Sequence, residues 1–258
     1  MKDELDIMII MTYDCNCCCN YCFENLNNHT TGKSTDSQKL IEYLQNLIKE
    51  EKIKRIILHF FGGEPLLRIS EIVKIAESLN NLDIEILYNV ITNGVFLSLD
   101  NIEKLYKRGI RNYQITLDGV KELHDTRRPC KDKNISCYTA IMNNLKNIEN
   151  SDWANKVEIS IRINIDDENV SQIADIYKEL PQFITSKNSP HQIYIAPVVG
   201  ICSSSFSTTM NQRTKTVITA WKTIHNQKLN ISITPPKYAP CPFHSENAAF
   251  YIDLNGNI

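Results

Sequence analysis

Short apolar runs rich in β-branched residues alternate along the chain with stretches in which apolar residues recur every three or four positions. Ile7–Met11 is the first run. Leu40, Ile41, Leu44, Leu47 and Ile48 then share one helical face, with Ser34, Thr35 and Asp36 as candidate caps. Arg55–Phe61 (RIILHFF) predicts a strand that stops at Gly62-Gly63, and Ile72, Ile75, Ala76 and Leu79 predict the helix after it. The alternation continues with strands at Ile84–Ile91, Asn112–Leu117, Val157–Ile165 and Gln192–Val199. Between and after them, helices are expected at Leu99–Lys107, Tyr138–Ile148, Val170–Leu180 and Val217–Gln227. Helices that follow successive strands predict a parallel sheet with right-handed crossovers, as a closed or partial barrel or a doubly wound sheet. Periodicity does not separate these.

The irregular residues fall in a regular place. Cys15–Cys22, Gly62–Pro65, Thr92–Gly94 and Asp118–Gly119 each follow the C-terminal end of a different strand. That rim is where barrels and open sheets put their chemistry, so four loops there imply one site. Ser203–Thr209 (SSSFSTT) reads as a solvated loop, and Pro235–Pro242 (PPKYAPCP) is too rich in proline for a helix or a central strand. Ala249–Leu254 followed by Asn255-Gly256 reads as a strand entering a tight turn, with the chain ending at Ile258 before a second hairpin strand.

Composition removes several classes of function. With 258 residues and 42% hydrophobic content the chain supports a sizeable core. A net charge of -2 offers no general attraction to nucleic acid or anionic lipid. No segment reaches membrane-spanning length, and the N-terminal apolar run is too short for a signal peptide. A cytoplasmic, reducing setting is therefore expected. There the nine cysteines read as metal ligands or reactive thiols rather than disulfides, with Cys130, Cys137 and Cys202 as isolated inert thiols.

The segment DCNCCCNYCF carries five of those cysteines, at 15, 17, 18, 19 and 22. Cys15, Cys19 and Cys22 alone fit CxxxCxxC, a spacing that turns three thiolates toward one point. Three ligands on a four-iron cluster leave one iron open to an exogenous chelating group. The competing readings are a buried helical stripe, which Asp14, Asn16 and Asn20 oppose, and structural zinc, for which His29 and the extra cysteines make a poor tetrahedral set. Cys17 and Cys18 are additional to the pattern, and their role stays open.

CxxxCxxC after a first strand, with aromatic Tyr21 before the last cysteine, resembles the radical S-adenosylmethionine (SAM) enzymes. Gly62-Gly63-Glu64-Pro65 after the second strand matches that family's GGEP motif. The resemblance implies a partial (β/α)6 TIM-type barrel with parallel strands. It also implies a [4Fe–4S] cluster on Cys15, Cys19 and Cys22, and SAM chelating the open iron. Tyr21 would lie near the adenine and Gly62, Gly63, Glu64 and Pro65 near the SAM amino group. Thr92, Asn93 and Thr116 would approach ribose and methionyl atoms. Arg162 on the fifth strand reads either as an inward partner of the SAM carboxylate or as a cap at a strand edge. The expected chemistry is reductive cleavage of SAM to a 5′-deoxyadenosyl radical that takes a hydrogen from the substrate.

The stretch QITLDGVKELHDTRRP is similar to the branch that modifies peptides and proteins, including sulfatase maturases and thioether synthases. It implies a peptide or protein substrate and an electron donor such as flavodoxin or ferredoxin. His124-Asp125 reads either as an acid/base dyad or, more simply, as capping at a strand–helix junction, and Arg127, Arg128, Lys131 and Lys133 as a solvated basic loop. No general base is nameable. In that branch a C-terminal SPASM or twitch extension carries auxiliary iron–sulfur clusters. Here Cys241 and Gly256 match its opening, so residues 1–234 are expected to form the core domain and 235–258 the incomplete start of that extension. An auxiliary cluster is expected if the chain continues past Ile258, and no separate leader-binding domain is expected before the first strand. The rival readings are a radical SAM enzyme acting on a small molecule and a non-enzymatic iron–sulfur protein.

Overall fold

The computed structural model describes residues 4–22, 35–198, 210–233 and 249–252. Six strands run in chain order across one parallel sheet: β1 (Glu4–Thr12), β2 (Arg55–Gly62), β3 (Glu85–Thr92), β4 (Asn112–Leu117), β5 (Glu158–Ile165) and β6 (Gln192–Pro197). A seventh, β7 (Ala249–Ile252), adds to the free side of β1, giving the order β6-β5-β4-β3-β2-β1-β7. The register pairs Ile7 with Leu58 and with Phe250, so β1 has a parallel neighbour on each side. Among the described residues β6 and β7 do not pair, and the sheet stays open, as a partial barrel is.

Helices cover one face. They are α1 (Ser37–Glu51), α2 (Ile69–Leu79), α3 (Leu99–Tyr106), α4 (Lys121–Arg127), α5 (Cys137–Glu149), α6 (Ile173–Glu179), α7 (Gln182–Thr185) and α8 (Met210–Asn226). Asp36 is the cap of α1: its carboxylate accepts the backbone N–H groups of Gln38 and Lys39, satisfying donors that the first helical turn leaves unpaired. Ser98 and Ser136 do the same for α3 and α5.

Alternation along each strand splits the sheet into two unlike faces. Ile7, Ile9, Met11, Ile56, Leu58, Phe60, Ile161 and Ile163 pack with Leu40, Leu44, Ile72, Ile75 and Leu145 of the helices in one buried core. Each such side chain contributes about 1.5–3 kcal/mol by leaving water. The residues between them face the other way, and many are polar. His59 stands 2.9 Å from Asp6 and 3.1 Å from the Asn89 amide, and the Tyr194 hydroxyl donates to Gln114 at 2.8 Å. A wholly apolar inner face would hold itself shut; this one is built from hydrogen-bonding groups.

The short helices α4 and α7 are additional to the sequence expectation, and two further elements differ in their bounds. Helix α8 starts at Met210, seven residues before the predicted Val217, because Met210–Thr216 is almost wholly polar and shows no apolar stripe. The stretch predicted as one helix over Val170–Leu180 is a single 3-10 turn, Val170–Gln172, followed by α6. Ala249–Ile252 is a strand as expected. Its partner is β1, in parallel. Asn255-Gly256, the Ser203–Thr209 and Pro235–Pro242 stretches, His29, Cys202 and Cys241 lie outside the described residues.

Candidate cofactor site at the strand ends

The cysteine segment leaves β1 at Thr12 and is held from two directions. On one side it is zipped to residues 126–131: Cys18 N–H donates to the Pro129 carbonyl at 2.8 Å, Asn20 N–H to Arg127 at 2.9 Å, and Lys131 N–H to Asn16 at 2.7 Å. On the other side it meets the end of β2, where Gly63 N–H donates to the Thr12 carbonyl and Glu64 N–H to the Asp14 carbonyl, both at 2.8 Å. This second contact explains the glycines. A Cβ on Gly62 would stand 2.4 Å from the Thr12 carbonyl oxygen, and one on Gly63 2.3 Å from that of Asp14. Gly62 also has φ +118°, where a side chain is strained in any case. The approach these glycines permit is that of β2 to the cysteine segment.

Glu64 is fully buried, and its carboxylate is occupied by the protein itself. One oxygen accepts from Leu66 N–H (3.0 Å) and the Thr92 hydroxyl (2.7 Å), the other from Asn93 N–H (2.8 Å). Burial raises its pKa to about 7 against those three hydrogen bonds. Pro65 follows as the first residue of a single 3-10 turn, Pro65–Arg68, where its missing N–H costs nothing. Thr92 and Asn93 thus sit where the sequence put them, at the end of β3. Asn93 also reaches back to the cysteine segment, donating to the Asn16 side-chain oxygen at 2.7 Å and to the Cys15 sulfur at 3.8 Å.

Cys15, Cys19 and Cys22 are free thiols, each half-buried. Cys15 is held down to about 6, chiefly by a hydrogen bond from the Cys17 side chain; burial opposes this, and the Cys17 N–H, Arg128 and Asn93 assist it. A thiol so placed is largely thiolate at neutral pH, the form that binds metal. Burial pushes Cys19 up to about 11. Asn16 Nδ2 and Arg128 Nε are buried without an acceptor among the described residues. Buried donors of that kind are costly, and they suit an electronegative group with acceptor sulfurs lodged at the loop.

Tyr21 occupies a polar knot that the sequence did not suggest. Its hydroxyl donates to the carboxylate of Asp118 and accepts from Arg128 at 2.6 Å and from Asn164 at 3.0 Å. Asn164 also donates to Asp118, at 3.2 Å. Burial raises the pKa of Asp118, while Arg128 pulls it back. The knot ties the cysteine segment to the ends of β4 and β5, and its members are scattered over more than a hundred positions. Arg162 lies at the same rim, opposite Thr116 in the register, with its Nε donating to Asn164 at 2.9 Å. Among the described residues no carboxylate pairs with it.

The structure decides three readings. Arg127 and Arg128 are not a solvated basic loop. Arg127 is 2% exposed and pairs with Asp166 at 2.8 Å and with Glu168, and Arg128 lies in the knot. Of the two readings of His124-Asp125 the simpler one, capping, is what the contacts show: the side chains face different ways and form no dyad. His124 accepts from Asp118 N–H at 3.3 Å, and burial then Arg128 hold it down to about 3; Asp125 instead accepts Tyr138 N–H at 2.9 Å at the head of α5. Third, Cys130 and Cys137 are neither isolated nor free: they form a disulfide, because the intervening loop brings the start of α5 back beside Cys130. Cys17 lies against them. The sulfurs of Cys17, Cys130 and Cys137 all fall within 4.8 Å of one another. Among the described residues Cys15, Cys19 and Cys22 do not form such a group.

The profile described as the radical SAM superfamily matches residues 9–180, which takes in the cysteine segment, the glycine turn and the knot. A cysteine-type anaerobic sulfatase-maturating enzyme of Clostridium novyi is 31% identical over 173 residues, covering 64% of this chain and 44% of its own length. A GTP 3′,8-cyclase of Clostridium perfringens is 33% identical over 131 residues, covering 47% and 38% respectively. The chain therefore spans less than half the length of either. A solved structure described as native anSMEcpe with bound AdoMet and Cp18Cys peptide superposes with a TM-score of 0.68 at 17% identity, over 88% of this chain and 63% of that one. At that identity the likeness establishes the fold.

Proposed function

This chain belongs to the radical SAM superfamily, whose members are enzymes using a [4Fe–4S] cluster and SAM, and from that premise we propose that it initiates radical chemistry on a side chain of a peptide or protein. Cys15, Cys19 and Cys22 would hold the cluster. Arg162, half-buried and without an acidic partner among the described residues, would take the SAM carboxylate as a charge-assisted pair. The Glu64 carboxylate is already committed to three donors of its own chain, so the SAM ammonium would draw on backbone carbonyls of the Gly62–Pro65 turn. Tyr21, locked by Asp118, Arg128 and Asn164, would set the wall of the adenine site through its ring. Bound there, cluster and SAM supply the reductively generated 5′-deoxyadenosyl radical that removes a substrate hydrogen atom.

The observation that carries this reading is the docking of the CxxxCxxC segment on the glycine turn, by two backbone hydrogen bonds that leave no room for a Cβ. The peptide substrate class is supported by the sulfatase-maturating relative and by the peptide in the solved neighbour's description. The GTP cyclase relative supports the second reading, a small polar substrate against the hydrogen-bonding inner face of the sheet. The electron donor would be a small acidic or flavin-bearing protein such as ferredoxin or flavodoxin. Thioether formation, C–C cross-linking and oxidation to formylglycine are the candidate outcomes. The C-terminal 235–258 stretch is proposed as the start of an auxiliary-cluster segment.

The test is anaerobic reconstitution with iron and sulfide, then dithionite and SAM. The expected result is 5′-deoxyadenosine from the reconstituted protein and none from the Cys15, Cys19, Cys22→Ala variant. Supplying a peptide deuterated at the β-carbon of cysteine or serine should yield deuterated 5′-deoxyadenosine. Label arriving from ribose-deuterated GTP would instead select the small-molecule reading.

A further inference from the structure

Behind the cluster segment, three more cysteines converge. Cys17, Cys130 and Cys137 are 5%, 9% and 1% exposed, and their sulfurs lie within 4.8 Å of one another, the Cys17 and Cys137 pair at 3.3 Å. Three separate pieces of chain supply them, and the backbone fixes each piece. Cys17 forms an isolated antiparallel bridge with Cys130, flanked by the hydrogen bonds of Cys18 to Pro129 and Lys131 to Asn16. Cys137 opens α5, whose cap Ser136 accepts Thr139 N–H at 3.0 Å. Cys17 thus adds a third sulfur beside the Cys130–Cys137 disulfide. The three have the shape of a trigonal ligand set.

We propose that Cys17, Cys130 and Cys137, once the Cys130–Cys137 bond is reduced, form a three-thiolate site for a soft d10 cation, zinc in the first instance, distinct from the thiols of Cys15, Cys19 and Cys22. Thiolates select soft ions, and zinc binds sulfur at about 2.3 Å, which sets ligand sulfurs about 3.8 Å apart; once the Cys130–Cys137 bond is reduced the three need only spread to that spacing, inside the 4.8 Å they already span. Charge favours the divalent ion. Three thiolates around Zn²⁺ leave a single net negative charge, where a monovalent ion would leave two in the same buried place. A cleft of about 630 Å³, lined by Cys18, Cys130, Lys131, Lys133 and Ile135, opens beside the site. Of the three cysteines Cys130 lines it, so an ion would enter from the Cys130 side. Formation has two balanced steps. A dithiol or phosphine reductant delivers two electrons to the Cys130–Cys137 bond, and two protons give two thiols. The ion then replaces three thiol protons, which pass to solvent. In the disulfide form the site is closed to metal, so occupancy follows the reducing power of the surroundings.

The test uses the full chain, reconstituted anaerobically with iron and sulfide, treated with a water-soluble phosphine, exposed to ZnCl₂ and desalted. The expected result is one zinc per chain in addition to the iron, and none in a sample not treated with phosphine. Replacing zinc by Co²⁺ should give thiolate-to-cobalt charge-transfer absorption. C130S and C137S should each lower retained zinc at least tenfold with iron content unchanged, while C18S retains zinc; C17S should lower zinc as far, with its iron content read separately because its thiol also hydrogen-bonds Cys15. The Cys15, Cys19, Cys22→Ala variant should lose iron and keep zinc, which separates this site from the proposed cluster. Unchanged iron also reports that a variant has folded; where a serine variant fails to load iron, the alanine variant at the same position gives the reading. The proposal is overturned if reduced wild-type protein with full iron retains no zinc, if zinc persists in C130S, or if zinc is gained only as iron is lost.

Discussion

The side-chain amide of Asn93 donates to the side-chain oxygen of Asn16 at 2.7 Å, and so fastens the end of β3 to the residue that follows Cys15. The same Asn93 accepts Val95 N–H at 3.0 Å with its own oxygen, so both ends of its amide are used. N93A should leave an oxygen and an N–H without partners, at a cost of about 1–3 kcal/mol. N93D keeps the Val95 contact but sets a carboxylate against Asn16 oxygen and the Cys15 thiolate. Iron retained after brief exposure to a chelator should fall in both, further in N93D. Retention equal to wild type in N93D would show that Asn93 has no hold on the proposed cluster.

Gly63→Ala and Gly62→Ala should be among the most damaging single-methyl changes in the chain. Each new Cβ would stand within 2.4 Å of a carbonyl oxygen, and at Gly62 the backbone strain adds about 1–3 kcal/mol. Gly109 offers the control. It too has positive φ, +81°, but a Cβ there meets nothing within 4 Å. Urea unfolding of the metal-free proteins should rank G109A well above G62A and G63A. Equal losses in G62A and G109A, with G63A unharmed, would mean that strain alone, and not the contact with the cysteine segment, accounts for the glycine turn.

Arg162 should govern affinity for SAM without governing iron content. Removing one side of a charge-assisted pair costs about 1.5–3 kcal/mol, which is roughly ten- to a hundredfold in Kd. R162A is therefore expected to weaken SAM binding to the reconstituted protein by that factor, with four irons still bound. R162K should recover only part of it, since an ammonium lacks the planar fork that meets a carboxylate. Calorimetric titration with SAM reads the effect. Wild-type affinity in R162A would move the carboxylate contact elsewhere.

The pH dependence of stability carries the mark of His124. Buried and held down to about 3, its imidazole stays neutral in the folded protein while the unfolded chain takes up a proton below the usual histidine value of 6.5. Stability from this source is complete above 6.5 and is lost as pH falls toward 3, at about 1.4 kcal/mol per pH unit. Glu64 has the opposite sign. Raised to about 7, it stays protonated in the folded state while the unfolded chain ionises, so its contribution is lost as pH rises from the usual 4.5 to 7. H124Q keeps an acceptor for Asp118 N–H and leaves Glu64 untouched. The difference in unfolding free energy between wild type and H124Q should therefore shift against wild type between pH 6.5 and 4.5. Parallel curves over that range would exclude the buried neutral histidine.

The sequence made the sheet legible because its strands are buried on both faces and bounded by glycine or Asx turns, so Arg55–Phe61 and Asn112–Leu117 stand out as runs. The CxxxCxxC and GGEP segments were legible as spacing, and the structure brings them into backbone contact. What stayed hidden was the destination of long polar side chains. Arg127 and Arg128 look like solvent-facing charges in a local window; their partners Asp166, Asp118 and Tyr21 are brought near only by the fold. The pairing of Cys130 with Cys137, and of both with Cys17, was hidden for the same reason. Local spacing says that a loop can close, and tertiary placement decides what it closes on. Helix α8 failed on composition, since an amphipathic pattern cannot be seen where only Thr216, Ala220 and Ile224 are buried.

Strand β1 is flanked by β2, made next, and by β7, made after every other strand described. During synthesis, among the described strands, the one that delivers the cysteines therefore has only its β2 edge paired until β7 has left the ribosome. Iron loaded before that moment would meet a half-supported anchor. A chain shortened ahead of Ala249 would keep every proposed ligand and still lose the second row of hydrogen bonds beneath them.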